Sequence, residues 1–247
     1  MKSQKNHIIK NSDISSELLF HYTQKLPTLK AILKSGYFLP CYSAQYGWAG
    51  IDFAIPVACF CDIPKNLVSK HVSYYGSYGL GMTKEWAKAQ KISPVFYLDV
   101  NSKMYNTIEN KLRNIKEAKD IEDIYYRLLY YVKKVCGADY CFRSNDDNPD
   151  IDRQRKFYNE REWRYVPKVD YKECLQLGNY REHKPHFDNE RMKDYGAYFK
   201  PKDIDYILIK SESERKNIIE FVTDNFPKDG DLLISKIESV ENIMNNG

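Results

Sequence analysis

The stretch Tyr158-Asn159-Glu160-Arg161-Glu162-Trp163-Arg164-Tyr165-Val166 places two carboxylates at the start of a strand-like pattern. In a β-strand, side chains two residues apart point to the same face of the sheet. If the strand has begun by Glu160, then Glu160, Glu162 and Arg164 share one face while Trp163 and Tyr165 pack behind them. Such a Glu-x-Glu pair suits chemistry on a ribose, where one carboxylate balances a developing positive charge and the other positions a nucleophile. On spacing alone, a solvated strand start with ordinary salt bridges is the favoured interpretation.

The composition is that of a globular chain. At 247 residues, with 43% hydrophobic and 29% charged residues, one domain over residues 1–247 is expected. The net charge of +4 is too small to indicate nucleic-acid binding by the protein as a whole. The six cysteines lack the spacing of a zinc site and are expected to be reduced. Neither a signal segment at residues 1–16 nor an apolar run of about 20 residues is present, so we expect a cytoplasmic protein without membrane contact.

The remaining pattern predicts an α+β domain. Residues 18–22 read as a strand, followed by a helix with Pro27 in its first turn and Gly36 just past its end. Further strands are expected at 57–63, 94–100, 204–209 and 232–234, with a helix after a Ser211/Glu214 capping box. Strands of mixed length that do not alternate regularly with helices favour the α+β class.

Two segments between these elements differ from them in sequence pattern. Residues 71–81 contain three glycines among aromatic residues and are expected to form a loop that a ligand can approach closely. Residues 103–137 show helical periodicity and are expected to form a helical insertion. The aspartates of 145–155 lack the glycine and glutamate of a calcium loop, and His183 and His186 are too few for a metal site, so no metal is expected.

Three ordered blocks of the sequence together resemble one family. They are Phe20-His21-Tyr22-Thr23 with Ile32-Leu33-Lys34-Ser35-Gly36; Cys59-Phe60-Cys61-Asp62-Ile63-Pro64, followed by His71 and by Tyr75-Gly76-Ser77-Tyr78-Gly79-Leu80-Gly81-Met82-Thr83-Lys84-Glu85-Trp86; and Glu160-Arg161-Glu162-Trp163-Arg164-Tyr165-Val166-Pro167. On these blocks, which lie within roughly residues 18–210, the chain resembles the AbiGi family of abortive-infection (phage resistance) proteins. The resemblance implies a role in phage defence, and the family is often labelled as the antitoxin of a defence pair.

The arrangement also resembles the ADP-ribosyltransferase superfamily, which includes DarT-type enzymes that modify nucleic acid. The resemblance implies a split antiparallel sheet with a cleft that binds NAD as cofactor, although the usual Ser-Thr-Ser triplet is absent. Carried over by position, His21 would hydrogen-bond the adenosine ribose, with Tyr22 beside it and with Thr23 and Gly36 near the adenine.

The same resemblance implies the reacting end of the site. The middle residue of the superfamily pattern is ambiguous among Tyr74, Tyr75 and Tyr78. Tyr75 or Tyr78 would stack on the nicotinamide, with Tyr75 placed in the cofactor site and Tyr78 among the catalytic residues. Glu162 would be the catalytic glutamate at the nicotinamide ribose, Glu160 would orient the acceptor, and Arg164 would complete the cofactor site.

Each of these residues also has a structural interpretation. His21 beside aromatic residues is more often a core histidine, Asp62 can hold the turn before Pro64, and Arg164 can be an ion-pair partner of Glu162.

Two functions from different classes follow. The first is a defence effector that uses NAD to ADP-ribosylate a macromolecule, with nucleic acid (RNA or DNA) as the expected acceptor because basic residues bracket the site: Arg153, Arg155, Lys156, Arg161, Arg164 and Lys168. The alternative is a non-enzymatic antitoxin or sensor that binds a cognate toxin or antitoxin protein. A nuclease is disfavoured because the sequence holds no convincing cluster of metal ligands.

Overall fold

The computed structural model describes residues 16–48, 51–64, 69–113, 123–138, 154–168, 175–176, 181–182 and 192–246. The strands are β1 (Leu18–Thr23), β2 (Tyr37–Phe38), β3 (Cys41–Trp48), β4 (Ile51–Cys61), β5 (Tyr78–Thr83), β6 (Ser93–Pro94), β7 (Phe96–Leu98), β8 (Val132–Lys134), β9 (Cys136–Ala138), β10 (Gln154–Lys156), β11 (Glu162–Tyr165), β12 (Leu175–Gln176), β13 (Ala197–Tyr198), β14 (Ile204–Ile209) and β15 (Ile237–Ser239). The helices are α1 (Leu26–Ser35), α2 (Ser69–Tyr75), α3 (Lys84–Ala89), α4 (Lys103–Arg113), α5 (Asp123–Tyr131), α6 (Arg215–Asn225), α7 (Gly230–Ile234) and α8 (Val240–Asn246).

One mixed sheet organises these elements, and the α+β class is confirmed. Its strand order is β15-β14-β5-β1-β4-β11-β6, with β3 and β12 also paired to β4. The expected antiparallel sheet is a mixed one, because β15 runs parallel to β14 while the other pairs of this sheet are antiparallel. β1 pairs with β5 along its whole length but shares a single register pair with β4, Phe20 opposite Cys61. The sheet therefore opens between β1 and β4 beyond that pair.

The opening strand and helix form as their local sequence predicts. β1 places alternate residues on its two faces, and α1 carries Pro27 in its first turn, where the missing N–H costs no hydrogen bond. Gly36 ends the helix at φ 71°, in the left-handed region, and its N–H donates to the Ile32 carbonyl at 3.1 Å.

Apolar clusters cover both faces of the sheet. On one face, α1 and α3 pack against the strands, and the buried residues include Leu19, Leu29, Leu33, Phe38, Phe60, Leu80 and Trp86. On the other face, one cluster forms around α4 and α5 and includes Ile55, Tyr105, Ile108, Leu112 and Leu129. A further cluster joins that face to the C-terminal helix and includes Phe20, Cys61, Leu208, Val240 and Ile243. The two faces thus have separate cores.

The expected loop at 71–81 is wrong, because the segment forms the end of α2 and most of β5. Its glycines let neighbouring strands approach, which explains their number without a ligand. A Cβ on Gly79 would lie 2.6 Å from the His21 carbonyl oxygen, and one on Gly81 would lie 2.8 Å from the Phe20 ring.

Other boundaries also differ from the sequence prediction. The strand expected at 94–100 divides into β6 and β7, and the strand expected at 232–234 is helix α7, with β15 following it. The Ser211/Glu214 capping box does not form, because Glu214 accepts from the Lys210 N–H at 3.2 Å. The insertion at 103–137 is not wholly helical, since β8 and the start of β9 follow α5.

The described part of the chain contains free cysteines and only helices that are too short or too polar to span a membrane. Cys59, Cys61 and Cys136 form no disulfide there, in agreement with the expectation of reduced cysteines. Among the helices that the structure describes, none has the length and apolar character required to cross a bilayer.

Candidate functional site

Glu162 begins strand β11 and is fixed by its backbone. It lies opposite Cys61 of β4. Its N–H donates to the Tyr97 hydroxyl oxygen at 2.8 Å, and its carbonyl accepts from the Val95 N–H at 3.0 Å. These contacts orient the first residue of a short strand, so the Glu162 side chain leaves the sheet in a defined direction.

The Glu160 side chain lies next to that of Glu162, but strand alternation does not place it there. The strand does not begin by Glu160, as the sequence interpretation required, because Phe157–Glu160 forms a turn of 3-10 helix. Arg161 then takes φ 46°, in the left-handed region, and redirects the chain into β11. Arg164 shares the face of Glu162, and Trp163 and Tyr165 pack against the opposite core, as predicted.

Lys133 joins the two glutamates. Its ammonium donates to Glu160 Oε2 at 2.5 Å and to Glu162 Oε2 at 2.6 Å, and it lies 4.9 Å from the centre of the Phe157 ring. The residue lies in β8, inside the segment expected to be helical. Sequence reasoning missed Lys133 because 27 residues separate it from Glu160, and no local spacing signals a contact over that distance.

Arg164 is the second cation of the site and is 1% exposed. Its Nε donates to Glu162 Oε1 at 2.6 Å, and its terminal nitrogens donate to the Tyr130 carbonyl at 2.8 Å and to Gln45 Oε1 at 3.4 Å. The Tyr130 carbonyl lies at the C-terminal end of α5, where a cation is favourable. Arg164 therefore ties β11 to both β3 and the end of α5.

The charges in this site determine each other's ionisation. Burial alone would raise the pKa of Glu162, but Arg164 and Lys133 outweigh it and hold that pKa well below its ordinary value. Burial would likewise lower the pKa of Lys133, but Glu162 and Glu160 outweigh it and the pKa rises. Burial raises the pKa of the neighbouring Cys59 thiol, which stays protonated.

The result is an ion cluster that we call the carboxylate cluster: Glu160, Glu162, Lys133 and Arg164. It holds two negative and two positive charges and is therefore balanced near neutral pH. The side chains of the two glutamates are 6% exposed, whereas Lys133 is 18% exposed and lies at the solvent side. An ionised, hydrogen-bonded carboxylate can stabilise a positive charge, but it is a poor proton donor.

His21 lies on the other face of the sheet from Glu162. Phe20, Cys61 and Glu162 are directly opposite one another in adjacent strands and so share a face, which places His21 on the reverse side. Its ring centroid lies 4.9 Å from that of Phe38, and its Nδ1 donates to the Cys59 carbonyl at 2.8 Å.

This ring contact lies at the opening between β1 and β4. Burial lowers the pKa of His21, only partly opposed by the hydrogen bond to Cys59, and favours the neutral ring.

The remaining residues assigned to an NAD site are divided between the two faces. Thr23 and Tyr78 are register partners on the His21 side, where the Tyr78 hydroxyl donates to Glu214 Oε1 at 2.7 Å. Burial and Glu214 raise the pKa of Tyr78 to about 12. Gly36 ends α1 on that same side.

Tyr22 and Tyr75, the other two residues assigned to the NAD site, lie on the same face of the sheet as Glu162. Tyr22 lies on that face beside Phe20, and its buried hydroxyl has no hydrogen-bond partner among the described residues. Tyr75 ends α2, which packs there through Val72, and its ring contacts His71. The structure thus brings Glu160, Glu162 and Arg164 together, and it separates them by the thickness of the sheet from His21, Thr23, Tyr78 and Gly36.

Some of the residues considered as metal ligands or as nucleic-acid contacts lie within the described part of the chain. No group of three or more potential metal ligands occurs among the described residues. Most of the 145–155 loop, with Arg153, and the His183/His186 pair lie outside the described residues. Of the basic residues expected to bracket the site, Arg164 is fully buried and is committed to the carboxylate cluster.

Comparisons with known proteins give one consistent result. A family model described as "Putative abortive phage resistance protein AbiGi, antitoxin" matches residues 51–210. The chain is also 26% identical over 215 residues to "Abortive phage resistance protein AbiGi" of Lactococcus lactis subsp. cremoris, covering 75% of this chain and 86% of that protein. No solved structure matches the chain.

Proposed function

Since the chain belongs to the AbiGi family, we propose that it acts in abortive phage resistance as an antitoxin, neutralising a cognate toxin protein by binding it. The description of the family model names this role, and the matched relative is an abortive phage resistance protein. Neutralisation by binding requires a stable folded surface and no catalytic group.

The observation that carries the non-enzymatic role is the closed state of the carboxylate cluster. Lys133 and Arg164 together occupy three of the four carboxylate oxygens of Glu160 and Glu162 at 2.5–2.6 Å. Both glutamates are buried, so a substrate would have to displace a charged partner to reach them. Buried ion pairs of this kind are common structural elements.

The test is co-expression in a bacterium. Products of the genes beside the one that encodes this chain are tested as the cognate toxin, each expressed with and without the chain while growth is recorded. We expect the chain alone to be harmless, to restore growth in the presence of the toxin, and to co-purify with it. Growth arrest by the chain alone, relieved by Glu162→Gln in a variant that still folds, would overturn the proposal.

The second candidate function is NAD-dependent ADP-ribosyl transfer to a macromolecule, with nucleic acid as acceptor. The specific observation in its favour is the opening of the sheet between β1 and β4, directly beside the strand pair that carries Cys61 and Glu162. In this function Glu162 would balance the positive charge that develops on the ribose of NAD, and Glu160 would orient the acceptor.

Thermal unfolding with NAD tests this second function. A ligand at about a hundred times its dissociation constant stabilises the folded state by about 2.7 kcal/mol. At about 2–4 °C per kcal/mol this raises the melting temperature by about 5–11 °C. Glu162→Gln should keep most of this shift and lose the transfer of radiolabel from NAD to RNA, DNA or protein. If millimolar NAD leaves the melting temperature unchanged, this function fails and the antitoxin role is unaffected.

A further inference from the structure

The segment that contains α5 and β8 is joined to β11 and the turn before it by charge as well as by backbone and apolar contacts. In the described residues, β8 forms its ladder with β7 alone, and the Tyr158 N–H donates to the Val135 carbonyl just after it. The Val135 N–H also donates to the Leu98 carbonyl, and β9, directly after β8, pairs with β10. Leu129, Tyr130 and Val132 are buried in the apolar cluster that includes Ile55. The carboxylate cluster adds two charged contacts, because Lys133 reaches both glutamates and Arg164 reaches the Tyr130 carbonyl at the end of α5.

Lys133 differs from the other members of the cluster. Glu160, Glu162 and Arg164 belong to β11 or to the turn directly before it, whereas Lys133 comes from a distant part of the sequence. It is also the most exposed member, since its side chain is 18% exposed and the others are between 1% and 6% exposed. A movement of β8 away from β11 would therefore remove one charge and open the cluster from its solvent side.

From this geometry we propose that Lys133 is an electrostatic latch, which closes the α5–β8 segment over Glu160 and Glu162 and keeps both carboxylates shielded. Because one ammonium holds both glutamates, its release removes the contact with both Oε2 atoms in a single step, while Arg164 still holds Glu162 Oε1. Any partner that binds α5 or β8 in the released position is then coupled to the state of the carboxylates. The latch belongs to the fold and does not depend on which of the two functions holds.

Carboxyl footprinting of the full chain tests the latch directly. A water-soluble carbodiimide with glycine ethyl ester labels accessible carboxylates, and mass spectrometry gives the rate at each glutamate. With Lys133→Met we expect labelling of Glu160 and Glu162 to accelerate by at least about tenfold, because breaking a buried ion pair favours local opening. Hydrogen–deuterium exchange should accelerate in α5 and β8 and change much less in β5 and β14.

The neighbouring lysine gives a matched control. Lys134 is the next residue of the same strand, where its ammonium lies 5.8 Å from the centre of the Tyr105 ring and interacts with the carboxylates of Glu109 and Asp52. Lys134→Met should leave both labelling rates within about twofold of wild type, and Lys133→Arg, which keeps the charge, should retain most of the protection.

Two results would overturn the latch. One is equal labelling of Glu160 and Glu162 in Lys133→Met and Lys134→Met. The other is exchange that accelerates equally in β14 and β8, because it would show a loss of global stability and no local opening.

Discussion

Replacing Arg164 by Met should destabilise the protein strongly. Arg164 is 1% exposed, so Met keeps much of the side-chain volume and removes the charge and the three donors. The change leaves one surplus negative charge in the carboxylate cluster, and it leaves the Tyr130 carbonyl without this donor. Breaking a buried ion pair by removing one partner costs about 3–5 kcal/mol. Since Lys133 still holds Glu162, we expect the lower end of that range.

The free energy of unfolding is measured by urea denaturation and supported by thermal unfolding. A loss of about 3 kcal/mol corresponds to a melting temperature lowered by about 6–12 °C for a chain of this size. Arg113→Met is the matched control. Arg113 lies 3.3 Å from Glu109 in a surface pair and is 59% exposed, so its removal should cost less than about 1 kcal/mol.

The double variant of Arg164→Met with Glu162→Gln tests the charge argument itself. Each single change leaves the cluster with an unbalanced charge, whereas the double change leaves Lys133 with Glu160 as a balanced pair. The two effects should therefore be less than additive by about 1–3 kcal/mol. Simple additivity, or a loss below about 1 kcal/mol for Arg164→Met alone, would refute the view that charge balance holds this site together.

Other perturbations follow from the same structure. Because the pKa of Glu162 lies below its ordinary value of 4.5, its ionised side chain should contribute fully to stability above that pH, and this contribution should fade as the pH falls. The free energy of unfolding should therefore fall less steeply with decreasing pH in Glu162→Gln than in the wild type. The pKa of Lys133 is raised, so its contribution to the free energy of unfolding should be complete below pH 10.5 and fade at higher pH. Lys133→Met should lack this loss of stability at high pH. His21→Ala should lower the melting temperature without ligand by about 4–12 °C, equivalent to about 2–3 kcal/mol, because the half-buried ring packs against Phe38 and Phe60; an unchanged melting temperature would contradict this. Gly79→Ala should cost about 1–3 kcal/mol in urea unfolding, whereas Gly230→Ala, with open space around its Cβ, should be neutral or slightly stabilising.

Local sequence determined the elements whose partners are near in the chain. The strand and helix at the N-terminal end of the described chain follow from alternation, from Pro27 in the first turn and from Gly36 at the helix end. The common face of Glu162 and Arg164 also follows from strand periodicity alone. The α+β class required only the irregular order of strand and helix patterns.

Tertiary structure decided which side chains meet. Lys133 reaches Glu160 and Glu162 because β8 pairs with β7 and β7 follows the strand that pairs with β11, a chain of contacts with no local signature. Glycines that suggested a ligand loop instead allow β5 to approach β1. His21 and Glu162 occupy opposite faces because of the register between β1, β4 and β11, and a shift of one residue would reverse this. Periodicity within a strand sets which residues share a face, but the pairing of distant strands sets what that face contacts.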